Sequence, residues 1–153
     1  AIKNIFLNKK YDFKIFITLG KDSPIIQQVK SSIRMFTSFK LIIDSPNMKK
    51  IYSESILCIG APGLSFLERL SVGLPSLLIA QNDKHMKLIN TWVNLGCAIK
   101  ASNNIKSIEN NLKRLLFDKD TCIKIINNGI KIVDGKGANR IAETIDGLIK
   151  KND

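Results

Sequence analysis

The ten residues Ile59-Gly60-Ala61-Pro62-Gly63-Leu64-Ser65-Phe66-Leu67-Glu68 bring together the side chains and glycines best suited to hold a ligand. They follow an apolar run, Ile56-Leu57-Cys58-Ile59, and lead into a helical pattern, so a strand is expected to turn here into a helix. Gly60 and Gly63 permit a tight turn and a close approach of ligand to backbone. The first amides of the new helix have no intrahelical acceptor and sit at the positive end of its dipole, which suits an anion such as a diphosphate. The same residues also have a reading that needs no ligand. Ser65 and Glu68 stand at the S-x-x-E spacing of a capping box, in which serine and glutamate satisfy each other's backbone amides. Local chemistry leaves both readings open.

Other chemistry-bearing residues are sparser. His85 is the single histidine and could act as a general acid or base, but near the start of a helix it reads better as a surface histidine. No Ser-His-Asp arrangement emerges around it. Lys136 lies between Gly135 and Gly137 without the glycine spacing of a phosphate-binding loop. Asp134-Gly135 reads instead as a helix ending, with Gly137 and Ala138 opening the last helix and Arg140 pairing with Glu143 along it. Asp22 and Asp44 are only loosely placed for the acid cluster of a phospho-acceptor module. Cys58, Cys97 and Cys122 form no C-x-x-C pair; Cys58 and Cys97 read as small core residues, and no structural zinc is expected.

The elements that position these residues alternate. Phe13–Thr18, Leu41–Ile43, Ile56–Ile59, Ser76–Ile79 and Cys97–Lys100 read as short strands without polar alternation, separated by helical patterns. That is the pattern of a parallel sheet covered on both faces. Ser23-Pro24 and Ser45-Pro46 are expected to open helices. From Ile105 only helices are expected, near 105–117, 120–133 and 138–150, with Trp92, Leu112, Leu115, Leu116 and Phe117 as packing residues. Residues 2–10 read as a helix where a doubly wound domain would begin with a strand and a glycine-rich turn. The opening strand is therefore expected to be missing, either because the chain is a fragment or because it starts on a helix. The fold expected is a three-layer α/β domain with a mainly parallel sheet of about five strands.

The chain has 153 residues and a formal charge of +11 from 24 basic and 13 acidic residues. Such an excess raises nucleic-acid binding as a possibility. However, only four of the basic residues are arginine, the lysines are scattered singly or in pairs, and aromatics make up 7%. Forked base contacts and stacking platforms are therefore scarce, and nucleic acid is not expected as a partner. The charge would favour a small anionic substrate. No apolar run approaches the roughly 20 residues of a membrane span, the start has no long apolar core of a secretory signal, and a cytoplasmic setting is expected.

Gly63-Leu64-Ser65-Phe66-Leu67-Glu68 followed by Gly73-Leu74-Pro75-Ser76 resembles the G-x-[ST]-x-x-E…G-x-P signature of glycosyltransferase-B (GT-B) type enzymes. Asp134-Gly135-Lys136-Gly137-Ala138-Asn139-Arg140-Ile141 resembles the D-G-x-G-x-x-R-[IV] ending of one branch. These are the hydrolases of pseudaminic acid synthesis and the related spore-coat polysaccharide proteins, which cleave UDP from an amino-deoxy sugar. The first motif is shared with lipid-linked peptidoglycan glycosyltransferases, so transfer to an acceptor is the near alternative. A non-enzymatic α/β binding module is the alternative of another class. The resemblance runs from Ile56 to Leu148. It implies one Rossmann-like lobe of a two-lobed enzyme, with the catalytic histidine on an amino-terminal lobe outside these residues. The whole chain, 1–153, would be a single nucleotide-holding lobe, inactive alone, with no cofactor and no metal. The resemblance further implies that Glu68 accepts hydrogen bonds from the ribose. The Leu64 and Ser65 amides and the Ser65 hydroxyl would hold the diphosphate beside Gly63, and backbone from Ser45 to Met48 would meet the uracil. Leu64 stands where the family has a small polar residue, and Pro62 where Ala or Gly is usual. Asp83-Lys84-His85 stands in place of Glu-Asn-Gln, so either Lys84 or His85 takes over the glutamine's contact with the sugar or the sugar differs.

Overall fold

The computed structural model describes residues 13–150; the helix expected over 2–10 lies outside them. The chain divides into two compact units, Ala1–Glu54 and Ser55–Asp153.

In the first unit β1 (Ile15–Leu19) pairs in parallel with β2 (Phe39–Ile43), in register from Ile15 opposite Phe39 to Leu19 opposite Ile43. The connecting helix α1 covers Ile26–Ile33. It starts later than Ser23-Pro24 implies: Ser23 N–H donates to the Gly20 carbonyl (3.1 Å), and Pro24 and Ile25 continue as a turn. After β2 the short helix α2 (Met48–Ser53) is capped by Asn47, whose side chain accepts from Lys50 N–H at 3.0 Å, and not by Ser45. Asp44, at the end of β2, has φ +50°, a left-handed conformation that Asp tolerates better than most residues.

The second unit carries the strands β3 (Cys58–Gly60), β4 (Ser76–Ile79) and β5 (Ile99–Ala101), all parallel in the order β3-β4-β5. Between and after them run α3 (Leu64–Ser71), α4 (Asp83–Asn94), α5 (Ile105–Phe117), α6 (Lys119–Ile132) and α7 (Gly137–Ile149). Leu77 and Leu78 of the central strand point to opposite faces, as neighbours in a strand must, and both are fully buried. The sheet is therefore covered on both sides, the reason its strands read as unbroken apolar runs. One face holds the cluster Phe66, Leu70, Leu78, Ile89, Cys97 and Ala98, against which Trp92, Val93 and Val133 pack. Trp92 meets Phe66 edge-on at 5.4 Å. Leu112 and Leu115 are buried as expected, whereas Phe117, at the end of its helix, is 53% exposed.

A helix end explains Gly73. Leu74 N–H reaches back to the Arg69 carbonyl (2.9 Å) and Gly73 N–H to that of Leu70 (3.0 Å). This pair of bonds closes a helix when the residue after its cap is left-handed, and Gly73 is, at φ +66°. The Gly73-Leu74-Pro75 segment of the first motif is thus a helix stop leading into β4. Among the described residues no helix is long and apolar enough to cross a membrane.

Candidate functional site

All three strands of the second unit run in the same direction, so the loops that leave Gly60, Ile79 and Ala101 share the carboxyl edge of one sheet. Ligands in open α/β sheets lie at that edge. Three helices start there, and their first turns differ. Asn82 caps α4 by accepting from His85 N–H at 2.9 Å, and Asn104 caps α5 by accepting from Ser107 N–H at 2.8 Å. Helix α3 has Gly63 at its cap position, with φ −79° and ψ −165° and no side-chain cap. The Phe66 amide is taken by the Gly63 carbonyl at 2.9 Å. Those of Leu64 and Ser65 have no acceptor among the described residues.

The capping box that the S-x-x-E spacing of Ser65 and Glu68 allows does not form. The helix begins at Leu64, so Ser65 lies inside its first turn and Glu68 inside its second. The Ser65 hydroxyl is exposed and makes no hydrogen bond among the described residues, while its carbonyl accepts from Arg69 Nε at 3.1 Å. Leu64 is 82% exposed and contributes little packing. Glu68 stands four residues after Leu64 and three after Ser65, on the same helix face, and is exposed. Gly60 and Gly63 are not needed for left-handed backbone, since neither has a positive φ. A Cβ on Gly63 would meet none of the described residues within 4 Å, so among them the space before the helix is open. A Cβ on Gly60 would lie 2.8 Å from Arg69 Nη1. The close approach there is made by an arginine from within.

Arg69 is the residue that sequence reasoning passed over. It is 2% exposed, and Nη2 donates to the Ala61 carbonyl at 2.8 Å, Nε to the Ser65 carbonyl, and Nη1 to Cys58 Sγ at 3.1 Å. Its guanidinium lies 5.4 Å from the Phe66 ring centroid. Among the described residues no carboxylate pairs with it. The signal is in the spacing: Phe66, Arg69 and Leu70 fall at i, i+3 and i+4, the buried stripe of the helix. Cys58, expected as a core thiol, is half-buried and serves as an acceptor for this arginine. Cys97 is buried, and desolvation pushes its thiol up from the ordinary range.

The other expected residues are dispersed. Lys84 is exposed in the first turn of α4, and His85 follows it half-buried, its Nδ1 buried without a hydrogen-bond partner among the described residues. Ser45 belongs to the first unit, where its hydroxyl oxygen accepts from Asn47 N–H at 3.3 Å. No three His, Cys, Asp or Glu residues gather to hold a metal among the described residues, Asp22 and Asp44 included.

The second motif forms a clasp between α6 and α7. Asp134 accepts from Arg140 Nη1 at 2.7 Å and Nη2 at 3.1 Å, and from Lys136 N–H at 3.0 Å. Arg140 therefore pairs back across the turn with Asp134, and not with Glu143. Its guanidinium, with the Lys136 amide, holds the Asp134 carboxyl down at about 2. Gly135 has φ +74°, which lets the chain reverse between the two helices. A shallow concavity lined by Gly137, Arg140, Ile141, Thr144 and Ile145 runs along α7, and none of the β3–α3 loop lines it.

No protein-family model matches the chain. The spore coat polysaccharide biosynthesis protein SpsG of Bacillus subtilis (strain 168) is 21% identical over 144 residues, covering 92% of this chain and 42% of that protein. Among solved structures, the crystal structure of UDP-N-acetylglucosamine 2-epimerase matches with a TM-score of 0.72 at 19% identity, over 94% of this chain and 38% of that one. The chain thus spans well under half the length of either. These likenesses identify the fold as GT-B-like, a Rossmann-type arrangement of parallel strands flanked by helices.

Proposed function

We propose that this chain binds a UDP-sugar through the β3–α3 loop, as the nucleotide-holding part of a sugar-nucleotide enzyme of surface-polysaccharide synthesis. The observation that carries this is the open first turn of α3. At one sheet edge two helices have asparagine caps, whereas the third leaves the Leu64 and Ser65 amides without acceptors among the described residues, behind a glycine that no described residue crowds. Two amides at the positive end of a helix are the donors a diphosphate takes. The Ser65 hydroxyl adds a third donor, and Glu68, on the same helix face, accepts from the ribose hydroxyls. Lys84 and His85, at the next helix start along the edge, take the sugar side.

The reaction proposed is attack of water on the sugar–phosphate bond, releasing UDP from an amino-deoxy sugar. Hydrolysis is preferred to transfer on the Asp134-to-Arg140 resemblance. The acid and base of that step are assigned to a second lobe. The residues here bind, orient and hold charge.

Titration with UDP and with UDP-N-acetylhexosamine, followed by the backbone amide resonances, tests the reading. Saturable shifts at Leu64 and Ser65 are expected with both. No shift at either amide removes its main support.

A further inference from the structure

We infer that Arg69 is the positioning residue of the phosphate loop and the buried counter-charge of the bound diphosphate, acting through the loop without touching the ligand. The inference rests on the nucleotide reading above. A guanidinium that is 2% exposed cannot reach a ligand at the sheet edge, yet it is bonded to three points of the strand-loop-helix unit that would hold one. Nη1 is on Cys58 in β3, Nη2 on the Ala61 carbonyl in the loop, and Nε on the Ser65 carbonyl in the first turn of α3. These bonds draw the Ala61 and Ser65 carbonyls inward, toward the arginine. Gly60 provides the room, since any side chain there would collide with Nη1.

The acceptors are two neutral carbonyls and a sulfur, and among the described residues no carboxylate balances the charge. Burying a cation without an anionic partner is costly. A leucine or methionine at position 69 would fill the same core stripe without that cost. The arrangement becomes favourable when an anion binds at the adjacent loop, because the field of a charge in a low-dielectric interior acts across several ångströms with little screening. Arg69 then does two things. It fixes the loop, and it raises the preference of the site for a diphosphate over a neutral nucleoside.

The preference itself is the measurement. Binding of UDP and of uridine to the native chain, Arg69→Gln and Arg69→Lys is followed by calorimetry and amide shifts. The native chain is expected to prefer UDP to uridine. R69Q is expected to lose about tenfold or more of its UDP affinity while uridine binding changes less than about twofold. R69K, which keeps the charge but not the fork, is expected to hold the UDP-to-uridine ratio within about threefold of native. If R69Q loses UDP and uridine in equal measure, or loses neither, the inference is overturned and the nucleotide reading stands. Should R69Q fail to fold, R69K decides, because a collapsed ratio in folded R69K overturns the role of charge. A native chain with no preference for UDP over uridine overturns the nucleotide reading and this inference with it.

Discussion

Gly63→Asn separates a ligand-binding helix start from a merely glycine-rich turn. Gly63 is the cap of α3, its backbone is extended, and a Cβ there would meet none of the described residues within 4 Å. An asparagine can therefore adopt the local geometry without strain, as Asn82 and Asn104 do at the neighbouring helices, with cap bonds of 2.9 and 2.8 Å. Asparagine is a better cap than glycine by a few tenths of a kcal/mol. Replacing a glycine at a compatible position adds about 0.4–1 kcal/mol by narrowing the unfolded ensemble. The sum is about 1 kcal/mol, or a rise of about 4–8 °C in Tm for a unit of this size. The same side chain occupies the first turn from which the diphosphate would draw its hydrogen bonds. A lost charge-assisted bond is worth about 1.5–3 kcal/mol, so UDP affinity should fall by about tenfold or more. Scanning calorimetry and UDP titration on the one variant measure both changes. A G63N protein that is no more stable than native, or that binds UDP as well, refutes the assignment of the open turn to ligand binding.

Three further outcomes follow from the packing. Gly60→Ala places a Cβ 2.8 Å from Arg69 Nη1 and should cost about 1–3 kcal/mol in denaturant unfolding. Gly63→Ala, with open space, should cost under about 1 kcal/mol, and equal effects would contradict the close packing of Arg69. For the α6–α7 clasp, the Asp134 carboxyl is held at about 2, chiefly by its hydrogen bond from Arg140. Because its folded value lies below the ordinary value of about 3.9, the contribution is present above that ordinary value and is lost as pH falls through about 2. Carboxyl resonances should show Asp134 still ionised at pH 3, and the α7 amides should keep their protection there and lose it near pH 2. An Asp134 titration near pH 4 would contradict the clasp.

The parts of the fold governed by periodicity were legible from the residues. The helix expected at 105–117 is found as Ile105–Phe117, and the helices expected at 120–133 and 138–150 each start and end one residue earlier. Long amphipathic patterns define a buried face many times over. The strand Ser76–Ile79 was equally clear because it is central and buried on both faces. Strands β3 and β5 each start two residues and end one residue beyond their apolar runs, since hydrogen-bond register, and not hydrophobicity, sets the ends of an edge strand. The residues alone leave the capping-box reading of Ser65 open, because the S-x-x-E spacing does not reveal that a glycine two residues earlier already opens the helix. Arg69 was passed over because its charge was counted with the surface excess, although its spacing puts it on the buried stripe. The D-G-x-G-x-x-R segment, read as a family signature, is in the folded chain a turn held by Asp134 and Arg140.

Amide hydrogen exchange with and without UDP tests the central claim most directly, because the molecule carries its own controls. The Leu64 and Ser65 amides have no acceptor among the described residues, whereas those of His85 and Ser107 are already held by asparagine caps. Saturating UDP is expected to slow exchange at Leu64 and Ser65 by about tenfold or more and to leave His85 and Ser107 within about twofold. Unchanged exchange at Leu64 and Ser65, or uniform slowing at all four amides, would contradict a diphosphate site at the start of α3.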